Sequence, residues 1–252
     1  MEYLPPSLRS LLDSATITPV TVGMSADDVY HIEADAIYYL KIGADLRGEA
    51  ERLRWLAGKL PVPKVIQYDL NHDKHYLLTS VVQGKMMFEA DLPVSWRIDL
   101  MAEAAKMWHS LPIDDCPFDN RLRQQLIHAR QQLDNNRLDS RYFHSQFYGK
   151  SEQELYADLL NAMPNEANED LVITHGDLCL PNILVDEQSG HITGFVDVGE
   201  MGISDRHLDL VLASRSIQYN LGSKWIDRFY DAYGIERDKL KYHFYCILNE
   251  FY

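Results

Sequence analysis

Residues 173–182 read Ile173-Thr174-His175-Gly176-Asp177-Leu178-Cys179-Leu180-Pro181-Asn182, and residues 194–199 read Gly194-Phe195-Val196-Asp197-Val198-Gly199. Asp177 stands five positions before Asn182, and Asp197 opens an Asp-x-Gly a short way on. This is the spacing at which phosphoryl-transfer loops set a catalytic Asp before a metal-holding Asn, followed by a strand-borne metal-binding Asp. The chemistry explains the residue types. One group must accept a hydroxyl proton, and hard oxygen ligands must hold Mg²⁺ against phosphates.

Working outward, the chain has 252 residues, enough for one large domain or a two-lobed unit with a sizeable core and no need of disulfides. Its three cysteines, Cys116, Cys179 and Cys246, show no metal-binding spacing and suit a reducing cytoplasm. The first residues, Met1 to Pro6, carry neither a basic n-region nor an apolar h-region, so no signal peptide is expected. No apolar run reaches the ~20 residues of a membrane span. The net charge of -14 argues against nucleic acid or an anionic membrane as partner; it would suit a cationic small substrate, but on charge alone solubility is the preferred reading.

Asp28–Glu33 and Ala36–Ile42 are rich in β-branched and aromatic residues, and the short break between them predicts a hairpin. A helix is expected over Arg47–Leu60, ending before Pro61. Val62–Gln67 and His75–Val82 read as strands, with Gln83-Gly84 as a hinge. Helical spacing follows over Ser95–Leu111, behind a capping box at Ser151–Glu154, and over Asp238–Tyr252, where Leu240, Phe244, Ile247 and Phe251 share a face. The fold class expected is α+β: a β-rich nucleotide-binding lobe over residues 1–83, and a mainly helical catalytic and substrate-binding lobe over 84–252.

Lys41 falls on the strand Ile37–Lys41 and can reach the phosphates of a nucleotide as a point charge. Glu49, eight residues on, shares a helix face with Leu53, Leu56 and Leu60, whereas Glu51 faces the other way. An acid at the head of such a face is either a partner of the helix dipole or a member of a buried ion pair; the phosphoryl-transfer scheme pairs its lysine with an acid, and on that ground Glu49 is the expected partner of Lys41. No Gly-rich phosphate loop precedes them; Val22–Tyr30 stands in its place, either a plain turn or a loop whose Ser25 and nearby amides could hold a phosphate. His175 reads as a packed structural histidine, and Asp205 and Asp209 as acids satisfying backbone donors.

With these residues in place, the chain resembles the aminoglycoside 3′-phosphotransferases, bacterial antibiotic kinases with a protein-kinase-like two-lobed fold. The resemblance spans essentially the whole chain. It rests on Met24–Tyr30, Tyr39-Leu40-Lys41, Trp55–Lys64, Asp115-Cys116-Pro117-Phe118, the two opening stretches and Asn249-Glu250-Phe251-Tyr252. It implies ATP and Mg²⁺ as cofactors, with ATP in the cleft between the lobes. Lys41 and Glu49 resemble the phosphate-binding pair, and Tyr39 an adenine-stacking aromatic. Ser80 and Val82 match the linker that meets the adenine edge, and Met24 and Ser25 the nucleotide-positioning loop. Asp177 matches the catalytic residue, and Asn182 and Asp197 the metal ligands. The acceptor would be a cationic aminoglycoside, phosphorylated on its 3′-hydroxyl and met by Asp177, Glu250 and the carboxylate of Tyr252.

Three departures bear on the acceptor. Glu200 stands where the family usually has Arg after Asp-x-Gly, Asn249 replaces an acid before Glu250, and the stretch Arg141–Gly149 has no acid. Glu200 is therefore expected to take over part of the charge of the missing acids, or else to pack beside Asn249. The rivals to this reading are a kinase of the same fold acting on choline, a sugar or a macrolide, and a nucleotide-binding module without catalysis. A cytoplasmic enzyme, monomeric or weakly dimeric, is expected.

Overall fold

The structure is a computed structural model describing residues 4–20 and 27–252. The chain divides into two compact units, residues 1–85 with 184–199, and residues 86–183 with 200–252. The first change of unit falls after Lys85, and the stretch 184–199, which carries Asp197, belongs to the first unit.

The first unit is built on a five-stranded antiparallel sheet in the order β1-β2-β3-β5-β4. Its strands are β1 (Thr16–Pro19), β2 (Asp28–Glu33), β3 (Ile37–Gly43), β4 (Val65–Asn71) and β5 (Lys74–Ser80). The expected hairpin is β2–β3, with Val29 opposite Lys41 and Tyr30 opposite Leu40. Alternation decides which side chains enter the core. Leu40 and Ile42 point inward and pack with Ile32, Tyr76 and Leu78 against Leu8 and Leu12 of α1 (Pro6–Leu12).

Helix α2 spans Arg47–Leu56, one turn shorter than the apolar spacing predicts. Ala57 leaves the helix at ψ 121°, and Gly58 adopts φ +79°, a left-handed conformation that glycine takes without a Cβ clash. Leu60 is buried all the same, because the chain folds back through a hydrogen bond from its N–H to the Leu56 carbonyl. Strand β4 begins at Val65 and not Val62, since the prolines flanking Val62 supply no N–H to a ladder.

The second unit is mostly helical: α3 (Val94–His109), α4 (Leu122–Asp134), α5 (Glu152–Asn161), α6 (His207–Asn220), α7 (Ile226–Tyr233) and α8 (Lys239–Leu248). Ser151 and Glu154 form the expected capping box at α5, each side chain bonding the other's backbone N–H. A core of Leu122, Phe143, Leu155, Val211, Phe244, Ile247 and Phe251 joins α4, α5, α6 and α8. Leu240 departs from expectation. It is 79% exposed, because it sits in the first turn of α8, where Asp238 caps the helix and the apolar stripe has not yet met the core.

The loops of interest leave short strands. β7 (Leu171–Thr174) pairs with β10 (Gly202–Asp205), Ile173 opposite Ile203. A small sheet orders β6 (Lys85–Met86), β8 (Ile183–Asp186) and β9 (His191–Phe195) as β6-β8-β9. The α+β class expected from the sequence is the class observed. No helix among the described residues is long and apolar enough to cross a membrane.

Candidate active site

The Lys41 set lies within the first unit. On the central strand β3, Lys41 Nζ lies 2.9 and 3.0 Å from the two carboxylate oxygens of Glu49 on α2. It also lies 3.0 Å from Asp197 Oδ1, beyond β9. One cation thus holds two acids, one eight and the other 156 positions along the chain from it. Burial works against the Lys41 charge, but Glu49 and Asp197 outweigh it and push the lysine pKa up. The same burial raises Glu49, which Lys41 pulls back. Glu51 turns outward, as expected, and pairs with Arg47 at 2.8 Å.

Asp197 is half exposed, in contrast to Glu49, whose side chain is 12% exposed. It stands at φ +59°, a region that non-glycine residues enter rarely. Such a backbone persists when its surroundings hold it.

Of the other first-unit residues that the resemblance assigns to the nucleotide, Tyr39, Ser80 and Val82 are described. Tyr39 lies on β3 opposite Thr79, partly exposed, its ring edge-on to His31 at 5.4 Å. Ser80 ends β5 and is pinned: its hydroxyl accepts the Lys64 N–H at 2.9 Å, and its own N–H donates to the Lys64 carbonyl. Val82 lies just beyond β5, its side chain against Gly194. Met24 and Ser25 lie outside the described residues.

In the second unit, Asp177 follows β7. Asn182 Nδ2 donates to both the Asp177 carbonyl, at 3.0 Å, and its Oδ2, at 2.8 Å. The five-residue interval is thereby closed into a ring. The amide nitrogen of Asn182 is turned toward Asp177, and its oxygen is left as an acceptor. Gly176 stands at φ +86°, and a Cβ there would meet the Glu200 backbone at 2.2 Å, so only glycine fits.

The turn is held from below by Asp209, a fully buried residue in the first turn of α6. Its Oδ2 accepts the His175 N–H at 2.8 Å and its Oδ1 the Gly176 N–H at 3.0 Å. His109 Nε2 lies 3.2 Å from Oδ2, and His109 Nδ1 lies 2.8 Å from the Tyr233 hydroxyl. His175 is packed as the sequence suggests: fully buried, edge-on to Trp108 at 5.0 Å, with Nδ1 accepting the Asp177 N–H at 3.2 Å. Asp205 likewise takes up donors, from His207 and Lys241.

Glu200 has an exposed side chain and a fixed backbone. Its carbonyl accepts Asn120 Nδ2 at 2.9 Å, and its backbone lies against Gly176, next to Asp177. Glu250 is held at both oxygens, by Arg215 Nη2 at 2.6 Å and by the His144 N–H at 2.8 Å. Tyr252 is half exposed and stacks on His128. Asn120, His128 and Arg215 are the members of this region that the sequence does not announce. Their partners are 80, 124 and 35 positions away or more, and no local spacing marks them.

A family model described as the phosphotransferase enzyme family matches residues 16–245. An aminoglycoside 3′-phosphotransferase of Streptomyces fradiae is 37% identical over 217 residues, 82% of this chain and 80% of its own. One from Niallia circulans is 34% identical over 98% of this chain and 97% of its own. A solved aminoglycoside-3′-phosphotransferase of type VIII matches with a TM-score of 0.85 at 31% identity, covering 98% of this chain and 97% of that one. A Streptomyces rimosus aminoglycoside phosphotransferase, solved with ADP and streptomycin, matches at a TM-score of 0.83 and 28% identity, over 97% and 95% of the two chains. The chain belongs to the phosphotransferase enzyme family. It is an enzyme of the kinase type, with the kinase-like fold of its solved relatives.

Proposed function

We propose that this enzyme transfers the γ-phosphoryl group of ATP to the 3′-hydroxyl of kanamycin- and neomycin-class aminoglycosides, and so confers resistance. The observation that carries the reading is the ring closed by Asp177 and Asn182, in a chain related over nearly its full length to a protein of that name. Lys41, held by Glu49, binds nucleotide phosphates as a point charge. Tyr39 offers a ring for the adenine, and the backbone at Ser80 and Val82 its hydrogen-bonding edge; Met24 and Ser25 are assigned to phosphate positioning.

Two side chains offer hard oxygens of the kind magnesium takes: the half-exposed Asp197 carboxylate of the first unit and, in the second, the Asn182 amide oxygen. When bound, Mg²⁺ offsets charge on the transferring group. Asp177 accepts a hydrogen bond from the attacking hydroxyl and orients it. The Asn182 amide keeps the Asp177 carboxylate in place, and positioning is most of the contribution in a loose transition state.

On the acceptor side stand Glu200, Glu250 and Tyr252. Because both oxygens of Glu250 are already engaged, that residue acts by fixing residues 250–252, while Glu200 presents the free negative charge. A polycation rests on such carboxylates.

The test is a coupled assay of ADP release across aminoglycosides, with the product position read by NMR, and growth of a susceptible bacterium on kanamycin. Turnover at the 3′-hydroxyl and growth are expected. Phosphorylation of choline, a pentose or a macrolide in their place, or no turnover at all, would overturn the reading. Glu200→Arg is expected to raise the KM for kanamycin roughly tenfold, the worth of about 1.4 kcal/mol of lost charge attraction, with the KM for ATP unchanged. An unchanged kanamycin KM removes Glu200 from the acceptor site.

A further inference from the structure

Helix α6 offers two side-chain acceptors to one loop. Asp209 and Ser216 stand seven residues apart on it. Two helical turns take about 7.2 residues, so the two side chains share a face, about 10 Å apart along the axis. Each takes backbone donors from residues 175–182, the stretch that carries Asp177 and Asn182. Asp209 accepts the His175 and Gly176 N–H groups. At the far end, the Leu180 N–H donates to the Ser216 hydroxyl oxygen at 2.9 Å.

The loop requires that second acceptor. Leu180–Asn182 is a single 3₁₀ turn. The Asn182 N–H goes to the Cys179 carbonyl, and Pro181 has no N–H. The Leu180 N–H, on a fully buried residue, therefore takes its acceptor from outside the turn. The polar neighbours of Ser216 on the helix turn elsewhere: Ser214 bonds back to the Leu210 carbonyl, and Arg215 reaches Glu250. One turn beyond, Asn220 Nδ2 donates to the Ser216 carbonyl at 2.8 Å and ties that residue into the end of α6. Between the two anchored points lies the ring closed by Asp177 and Asn182. Asp209 holds the loop just before Asp177, and Ser216 holds it two residues before Asn182. All of these residues belong to the second unit.

We propose that α6 is the rack that sets the separation of Asp177 and Asn182, and that Ser216 is a positioning residue for the phosphoryl transfer. Two anchors on one rigid helix keep a catalytic loop from drifting, and a misplacement of about 1 Å can cost a hundredfold in rate. Ser216 touches neither nucleotide nor acceptor; it acts through the Leu180 N–H. This inference rests on the aminoglycoside reading above.

The experiment is steady-state kinetics of Ser216→Ala, Ser216→Thr and Ser216→Cys at a temperature well below their melting midpoints, with kanamycin and ATP as the varied substrates. Hydrogen exchange of the peptide spanning 175–182 is followed by mass spectrometry. In S216A, kcat is expected to fall roughly tenfold while both KM values stay within about twofold of wild type. Exchange within 175–182 is expected to quicken. S216T keeps the acceptor oxygen and is expected to restore kcat to within about twofold of wild type. S216C fills the space with a weak acceptor and is expected to follow S216A, which separates the lost bond from a lost side chain. Wild-type turnover of kanamycin together with an unchanged kcat in S216A overturns this inference alone. So does an S216T variant as impaired as S216A, an S216C variant as active as wild type, or a loss spread equally over kcat and both KM values. Absence of turnover by the wild-type enzyme overturns the aminoglycoside reading, and this inference with it.

Discussion

Asp177→Ala is expected to lower kcat by about 10³-fold or more, while ATP binding measured by calorimetry stays within about twofold of wild type. The reason lies in what Asp177 touches. Its carboxylate is held by Asn182 Nδ2 and its backbone N–H by His175 Nδ1, so the side chain is aimed before the acceptor arrives. Removing it costs no core packing and takes away the only proposed acceptor of the hydroxyl hydrogen. The cation proposed for the phosphates, Lys41, belongs to the first unit with Glu49 and is untouched by the substitution. Retained turnover would refute the assignment. A parallel loss of ATP affinity would instead mean that the carboxylate serves the nucleotide site.

Asp209→Ala is expected to be the most destabilising single change in the second unit. Asp209 is fully buried and accepts three donors, the N–H groups of His175 and Gly176 and the His109 imidazole. Alanine leaves those donors in the interior with no acceptor. Breaking a buried pair of this kind costs about 3–5 kcal/mol, and in a chain of this length that lowers the melting midpoint by roughly 10 °C. Activity is expected to fall further than stability alone explains, because the turn before Asp177 is what the Asp209 oxygens hold. Asp209→Asn keeps one acceptor oxygen and should fall between wild type and alanine in both melting and kcat. A melting midpoint unchanged in D209A would show that the turn is held by other means.

The two substitutions differ in kind, and the difference follows from exposure and partners. Asp177 is proposed to act outward, so its loss is expected in kcat. Asp209 acts inward and its loss is read in the melting curve first. Both are aspartates of the same half of the chain, and their residue type does not separate them. His175-Gly176-Asp177 announces its chemistry through its spacing to Asn182, whereas Asp209 reads from the sequence as an acid satisfying backbone donors, with nothing to say that those donors are His175 and Gly176.

How much of the molecule was legible in the sequence follows the same division. The β2–β3 hairpin, the capping box of α5 and the Lys41–Glu49 pair were legible because each depends on residues within eight positions of one another. Alternation in a strand and rotation along a helix fix such neighbours without knowledge of the rest of the fold. Helix ends were less legible. The apolar stripe through Leu60 extended the predicted α2 by a turn, because burial of Leu60 is achieved by a loop that the stripe cannot distinguish from helix. Leu240 failed for the opposite reason: it keeps the helical spacing of α8 but lies before the point where that face meets a neighbour.

The sequence by itself determined the phosphoryl-transfer signature, the pairing of Lys41 with Glu49 and the α+β class, since spacing and periodicity are local properties of the chain. Only the tertiary structure decided where the charges end up. It brought Asp197 to Lys41 across 156 positions, set Asp209 beneath His175 and Gly176, tied up Glu250 with Arg215, left Glu200 exposed beside Gly176, and laid Tyr252 on His128. A carboxylate's part is fixed by the donors packed around it. Those donors come from strands and helices far away in the chain, and no interval between residues records them.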